Sequence, residues 1–250
     1  MTIENEKDWE GLRRIGRIVA QARDTMIRRL EAGMTTKELD EIGEAVLREH
    51  GAIPAPSKEY GFPGATCISI NDVAAHGIPG GRKIRPGDIV NVDVSAELDG
   101  YYADTGATVF VEGGTKDAEL KRRLVDSSRK ALAAGIAEAR SGAKLNRIGK
   151  AIEREARSCG FAVIRNLAGH GIGRKLHEEP GDITNFENKR DSRLLRNGAV
   201  LAIESFLSTG AEYVDEEADG WTIRTPDRSL VAQFEHTVVV TKEGPVVLTV

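Results

Sequence analysis

Ile84-Arg85-Pro86-Gly87-Asp88-Ile89-Val90-Asn91-Val92-Asp93 and Leu195-Arg196-Asn197-Gly198-Ala199-Val200-Leu201-Ala202-Ile203-Glu204 are two versions of one segment. Each passes from an arginine through a glycine turn signal into an apolar, strand-like run, and each reaches a carboxylate eight residues after the arginine. An acid inside such a run is costly to bury without a partner, so its return in the same frame carries weight. A second echo precedes each copy: Leu39-Asp40-Glu41-Ile42-Gly43-Glu44-Ala45-Val46 matches Leu145-Asn146-Arg147-Ile148-Gly149-Lys150-Ala151-Ile152. Together the echoes predict an internal duplication, with two similar halves of roughly 1–113 and 114–250, each a helix pair followed by antiparallel sheet. No linker-like stretch divides them, so the expectation is one α+β domain over residues 1–250.

The elements around these segments read in the same order twice. Ile15, Val19, Ala22, Met26 and Leu30 form one apolar stripe, predicting a helix over 7–31. A second helix opens at Thr35, which stands at capping-box spacing from Glu38, and Gly51 is placed to end it. Strand patterns follow at Thr66–Ile70, Asp88–Ala96 and Tyr101–Val111. The second half predicts helices over about Asp117–Arg140 and Leu145–Cys159. Its strands are expected at Phe161–Ile164, Ala199–Phe206, Trp221–Thr225 and Leu230–Thr241.

The acids then define a site. Asp104 lies on the return strand of the hairpin that carries Asp93, opposite it or one diagonal away and on the same face. Glu204 and Glu235 repeat the arrangement. Taken singly, each would be an edge residue facing water. As two pairs in duplicated hairpins they call for a compensating cation, from arginines or from a metal. His170, in the glycine-rich run Ala168-Gly169-His170-Gly171-Ile172-Gly173, favours the metal, and His177 follows seven residues on. Four carboxylates and an imidazole exceed what one ion needs. They suit two divalent ions sharing carboxylates, about 3.5–4 Å apart in sites of this type.

Composition bounds the function classes. The chain has 250 residues, with 35 Lys+Arg against 39 Asp+Glu and a net charge of −4. That balance argues against a polyanion binder, where a basic excess is expected. Two cysteines, Cys67 and Cys159, are too few for a disulfide scaffold and suit a reducing compartment. The polar, acidic first ten residues carry no signal-peptide core, and no apolar run is long enough to span a membrane. The expectation is a cytoplasmic protein that needs no membrane and no nucleic acid.

With these residues in view, the sequence resembles the type I methionine aminopeptidases, over essentially its whole length. The resemblance rests on His76-Gly77-Ile78-Pro79, Asn91-Val92-Asp93, Asp104-Thr105-Gly106, Gly169-His170-Gly171 with His177-Glu178-Glu179-Pro180, Gly220-Trp221-Thr222, and Glu235-His236-Thr237. It implies the duplicated "pita-bread" fold and removal of the initiator methionine from nascent polypeptides, at the ribosome and as a monomer. Absence of a separate N-terminal domain points away from prolidase and aminopeptidase P. The thirty residues between Glu204 and Glu235 leave no room for the type II insertion.

By the same resemblance, Asp93, Asp104, His170, Glu204 and Glu235 would hold two ions drawn from Co, Mn, Fe(II) or Zn. Asp104 and Glu235 would bridge them. His76 and His177 would contact the scissile amide and the tetrahedral intermediate, and Glu204 would handle the proton of the attacking water. The chain departs from the family at Ser205, where proline commonly stands, at Leu176, where some members have an aromatic, and in a shortened Lys58-Glu59-Tyr60-Gly61.

Other candidates admit a plainer reading. Cys67 is either a small buried hydrophobe or a wall of the methionine pocket. Phe62 and Trp221 are core aromatics or the rim that an unbranched thioether needs, and Tyr60 is a further pocket candidate. His236 follows a ligand candidate directly, so strand alternation turns it to the opposite face. His50 sits at a helix end, where it is structural.

Overall fold

A computed structural model describes all 250 residues. The first half contains α1 (Glu6–Arg29), α2 (Thr36–Glu49), β1 (Ile53–Pro54), α3 (Ala55–Tyr60), β2 (Cys67–Ile70), β3 (Val73–Ala75), β4 (Ile89–Leu98) and β5 (Tyr101–Phe110). The second contains α4 (Ala118–Ala137), α5 (Asn146–Ser158), β6 (Ala162–Val163), β7 (Ala168–Gly171), β8 (Glu178–Thr184) and β9 (Val200–Ser208). It closes with β10 (Asp215–Glu216), β11 (Ile223–Arg224), β12 (Val231–Val239) and β13 (Val246–Val247).

The helix starts follow local chemistry. The Asn5 side chain accepts from the Asp8 amide to open α1. Thr35 and Glu38 form the expected capping box of α2, each side chain satisfying the other's backbone N–H. The stripe Ile15, Val19, Ala22, Met26 is fully buried.

Strand alternation decides which way each sheet faces. In β4, Val90, Val92, Val94 and Ala96 enter the core shared with α1 and α2, which leaves Asn91, Asp93 and Ser95 on the other face. In β9 and β12, Leu201, Ile203, Ala232, Phe234 and Val238 pack with Leu124, Leu132, Ile148 and Ile152 of α4 and α5. Glu204, Gln233, Glu235 and Thr237 take the remaining alternate positions of those strands.

The long strands β4 and β5 pair antiparallel, with β1 and β2 on the other edge of β4. β9 and β12 form the matching pair, with β6 and β7 on the far edge of β9 and β13 beside β12. Between the two sheets, β5 and β12 are joined through threonine side chains. The Thr105 hydroxyl donates to the Glu235 carbonyl at 2.9 Å, and the Thr108 hydroxyl to the Gln233 carbonyl at 2.7 Å. The Thr237 hydroxyl accepts from the Asp104 amide and donates to the Asp104 carbonyl, both at 2.8 Å. Hydroxyls that both donate and accept satisfy backbone groups that would otherwise be buried without partners.

Some elements differ from the sequence expectation. The strand expected at Trp221–Thr225 shrinks to two residues, because Asp219 accepts from the amides of Trp221 and Thr222 and turns them into a loop. The run around His170, expected as a loop, is β7, with His170 paired to Ala202 of β9. The helix α3 and the strands β1, β3, β8, β10 and β13 lie outside the elements the sequence pattern predicts. No helix is long and apolar enough to cross a membrane.

Candidate metal centre

The residues proposed from sequence as metal ligands, catalytic groups and pocket walls converge on one cavity of about 210 Å³ where the two sheets meet. Its walls include Asp93, Asp104, His170, Glu204, Glu235, His76, His177, Tyr60, Phe62, Cys67 and Trp221. Strand register places the acids. Asp93 pairs with Gly106 and Ser95 with Asp104, so Asp93 and Asp104 share a face one diagonal apart. Glu204 and Glu235 are direct cross-strand partners.

The electrostatics favour a cation among the acids. Burial raises the carboxyls of Asp93, Glu204 and Glu235 well above the usual range, and repulsion from neighbouring acids adds to it. Asp104 is pushed up to about 6, again by burial. No lysine or arginine pairs with any of the four. Asp104 Oδ1 and Glu235 Oε1 are buried without any hydrogen-bond partner. Arginine is thereby excluded as the compensating cation, and the orphaned oxygens fit a metal.

His170 completes the donor set. Its Nδ1 lies 3.0 Å from the Gly171 carbonyl, an acceptor that fixes Nδ1 as the protonated nitrogen and leaves the lone pair of Nε2 free for a metal. Burial disfavours its imidazolium, lowering its pKa to about 3, so the ring is neutral as a metal ligand must be. One donor atom each from Asp104, His170 and Glu235 lies within 4.8 Å of the others, a spacing that a metal ion can close. Mixed carboxylate and imidazole donors suit a divalent transition ion.

Two further histidines, His76 and His177, line the same space without joining that triad. The His177 ring lies 4.1 Å from His170, centroid to centroid, and its Nδ1 is 2.7 Å from the Tyr60 hydroxyl. His76 has a positive φ of 53° and is followed by Gly77, where a Cβ would come 2.2 Å from the Ile68 carbonyl oxygen. The turn is pressed against β2 and aims His76 into the cavity mouth. Partial desolvation in the cavity lowers the pKa of His76 and His177, although both residues keep solvent exposure, and this favours their neutral forms.

The apolar end of the cavity holds Phe62 and Trp221 edge-to-face at 5.2 Å, with Cys67 and Leu176. Burial and the facing Asp93 and Asp104 raise the Cys67 thiol well above its usual value, so it is an apolar wall rather than a nucleophile. Tyr60 is half exposed on α3, which is tied to β4 by the ion pair of Lys58 with Glu97 at 2.7 Å. Ser205 is fully buried and points away from the acids, donating to the Ser128 carbonyl of α4 at 2.9 Å. His236 turns to the opposite face and meets Thr249 Oγ1 at 2.8 Å. His50 is the C-cap of α2.

Sequence reading missed Gln233, whose side-chain nitrogen donates to Glu235 Oε2 at 2.9 Å and, more weakly, to Glu204 Oε2 at 3.4 Å. A polar residue two positions before Glu235 on an apolar strand was the available signal.

A buried acid cluster at the junction of two sheets, with one neutral imidazole, defines a metallopeptidase centre, and the chain belongs to metallopeptidase family M24, whose model matches residues 10–242. Within that family it stands among the methionine aminopeptidases. It is 53% identical over 250 residues to methionine aminopeptidase 2 of Bacillus subtilis, covering 100% of this chain and 99% of that one. It is 46% identical over 249 residues to a methionine aminopeptidase of Staphylococcus epidermidis, covering 100% and 98%. The crystal structure of methionine aminopeptidase from Rickettsia prowazekii superposes with a TM-score of 0.94 at 37% identity, each chain covered in full. The α+β pita-bread architecture expected from sequence is the fold observed.

Proposed function

We propose that residues 1–250 act as one catalytic domain that hydrolyses the peptide bond after an N-terminal methionine, using two divalent ions held by Asp93, Asp104, His170, Glu204 and Glu235. The observation that carries this reading is the buried set of unneutralised carboxylates beside His170, with oxygens of Asp104 and Glu235 left unpartnered. Asp104, His170 and Glu235 would form the heart of that donor set, with Asp93 and Glu204 completing it. Divalent ions bound there would polarise the scissile carbonyl and acidify the attacking water.

The protein's own groups supply the rest. Glu204, as a carboxylate beside the attacking water, would accept its proton and pass it to the leaving amine. His177 donates to the oxygen that becomes negative in the tetrahedral intermediate, and His76 contacts the amide nitrogen. Phe62, Trp221, Cys67 and Leu176 form the apolar pocket for the methionine thioether, with Tyr60 at its rim.

The substrates are the N-termini of nascent polypeptides, met in the cytoplasm at the ribosome by a monomeric enzyme. Two free cysteines fit a reducing compartment, and the large exposed hydrophobics, such as Leu120, Leu194 and Tyr213, are few. Which of Co, Mn, Fe(II) or Zn serves is a matter of availability. The test is hydrolysis of Met-Ala-Ser against a Xaa-Pro peptide, with metal content measured on the same preparation. Release of methionine from Met-Ala-Ser supports the reading. Cleavage of the Xaa-Pro peptide alone would assign a different exopeptidase.

A further inference from the structure

We infer that Gln233, held by Asn91, is a positioning residue that presets the two glutamates of the metal centre across the junction of the sheets. This rests on the reading of Glu204 and Glu235 as ligands. The Gln233 side chain is 1% exposed and lies between β12 and β5. Asn91, on β4 and 142 residues earlier in the chain, donates from Nδ2 to Gln233 Oε1 at 2.8 Å. The same nitrogen lies 3.2 Å from the Gln233 carbonyl and 3.3 Å from Thr108 Oγ1, which holds Asn91 in place.

Those contacts fix the amide's sense. With Oε1 turned to Asn91, Nε2 must face the acids. Its two N–H groups reach Glu235 Oε2 at 2.9 Å and Glu204 Oε2 at 3.4 Å. A flipped amide would set its oxygen against two carboxylates and its N–H groups against those of Asn91. The consequence is seen at Glu235: Oε2 is engaged by the amide, and Oε1 is the oxygen left without a partner.

The residue type is telling. A lysine or arginine at 233 would neutralise the acids and compete with a cation, whereas a carboxamide orients them and leaves their charge available. Space for it comes from Gly106, where a Cβ would fall 2.1 Å from Gln233 Oε1 and 2.6 Å from Nε2. Since Gln233 is locked from both sides, a side chain at 106 would break the relay.

The test measures Co(II) binding by titration calorimetry and the visible Co(II) spectrum, together with kcat and KM. Gln233→Met keeps the volume and removes both donors. Its Co(II) affinity should fall on the order of 10–100-fold, with altered Co(II) bands, while the metal-free protein melts near the parent temperature. Asn91→Leu should weaken Co(II) several-fold, and the double variant should be no worse than Gln233→Met, because Asn91 acts through Gln233. Should Gln233→Met fail to fold, Asn91→Leu still decides. Parent-like Co(II) affinity in either folded variant, or additive losses in the double variant, would overturn the proposal. Glu235→Gln and Glu204→Gln serve as controls. If both bind Co(II) like the parent, the ligand assignment itself is wrong, a result distinct from failure of the relay.

Discussion

The Tyr60 hydroxyl lies 2.7 Å from His177 Nδ1, with the two rings 5.6 Å apart. We assign the hydroxyl as the donor, since desolvation holds the Tyr60 phenol in its protonated form; Nδ1 then accepts, and the proton of the neutral imidazole sits on Nε2, free to donate in the cavity. Tyr60 thereby acts on the tautomer of His177 as well as on the pocket rim. Tyr60→Phe keeps the ring and loses the hydroxyl. Its kcat should fall several-fold with KM and metal content near the parent values, and steady-state kinetics beside elemental analysis checks both. A rise in KM at unchanged kcat would return Tyr60 to a pocket role alone.

Chelation should abolish activity, and a divalent transition ion should restore it. Among single changes, Asp104→Asn and Glu235→Gln should be the most damaging, since both acids belong to the compact donor cluster with His170. Metal stoichiometry and rate measured on one preparation decide the matter. Full activity in thoroughly demetallated protein would sink the dinuclear reading.

The metal-free chain should lose stability as pH rises above about 6.5, the ordinary histidine pKa. Glu204 is raised from 4.5 to about 8, and Asp93 and Glu235 are also raised, so the folded state holds more protons than the unfolded chain in that range. Their destabilising contribution begins above the unfolded carboxyl pKa and grows until pH passes the folded one. His170, His177 and His76 are lowered and act in the opposite sense, but only below the pKa of unfolded histidine. Between pH 6.5 and 8 the acids therefore decide the slope. Bound metal needs the deprotonated ligands, so the stabilisation it gives should increase over the same interval. Urea melts at pH 6.5 and 8, with and without metal, test both signs. A metal-free stability that rises across this window would contradict the burial of these acids.

Much of the site was legible because strand periodicity is strict. Acids at alternate positions of apolar runs can only share a face, whereas the choice between opposite and diagonal pairing is settled by the observed register of Asp93 with Gly106 and Glu204 with Glu235. The helix pair was legible from its stripe and the Thr35–Glu38 box. The α3 helix was not, because six residues containing Pro56 leave no room for a period to show. Glycine-rich β7 lacked the side chains that mark a strand, and it takes its form from pairing with β9. The threonine bonds between β5 and β12, and the Asn91–Gln233 contact, are tertiary facts. Their residues lie more than a hundred positions apart, and no local pattern couples them.

Ser205 stands beside a proposed ligand, yet its hydroxyl serves α4. It donates to the Ser128 carbonyl at 2.9 Å and lies 3.0 Å from Ser128 Oγ, with no exposed surface. Ser205→Ala should cost about 1 kcal/mol of stability, the usual scale for a buried hydrogen bond. Metal affinity and kcat/KM should stay near the parent values. Denaturant unfolding with a calorimetric metal titration separates the two effects, and loss of metal with stability unchanged would contradict the geometry.

His177→Ala should retain metal while kcat collapses. The ring stands 4.1 Å from His170, close enough to share the site, yet its Nδ1 is engaged by Tyr60. Asp104, His170 and Glu235 form the compact donor cluster without it. Four carboxylates already match the charge of two dications, so a further neutral imidazole adds little to holding them. What Nε2–H can add is a hydrogen bond to charge that develops only in the tetrahedral intermediate. Loss of one such donor typically lowers kcat on the order of 10²–10³. Because that bond strengthens only as the intermediate forms, KM should change far less than kcat. His76→Ala should behave similarly if its ring contacts the scissile amide. Metal stoichiometry and steady-state kinetics on the same preparation give the answer. An ion lost in proportion to activity would make His177 a ligand, and the division between metal-holding and rate-determining residues would then have to be redrawn.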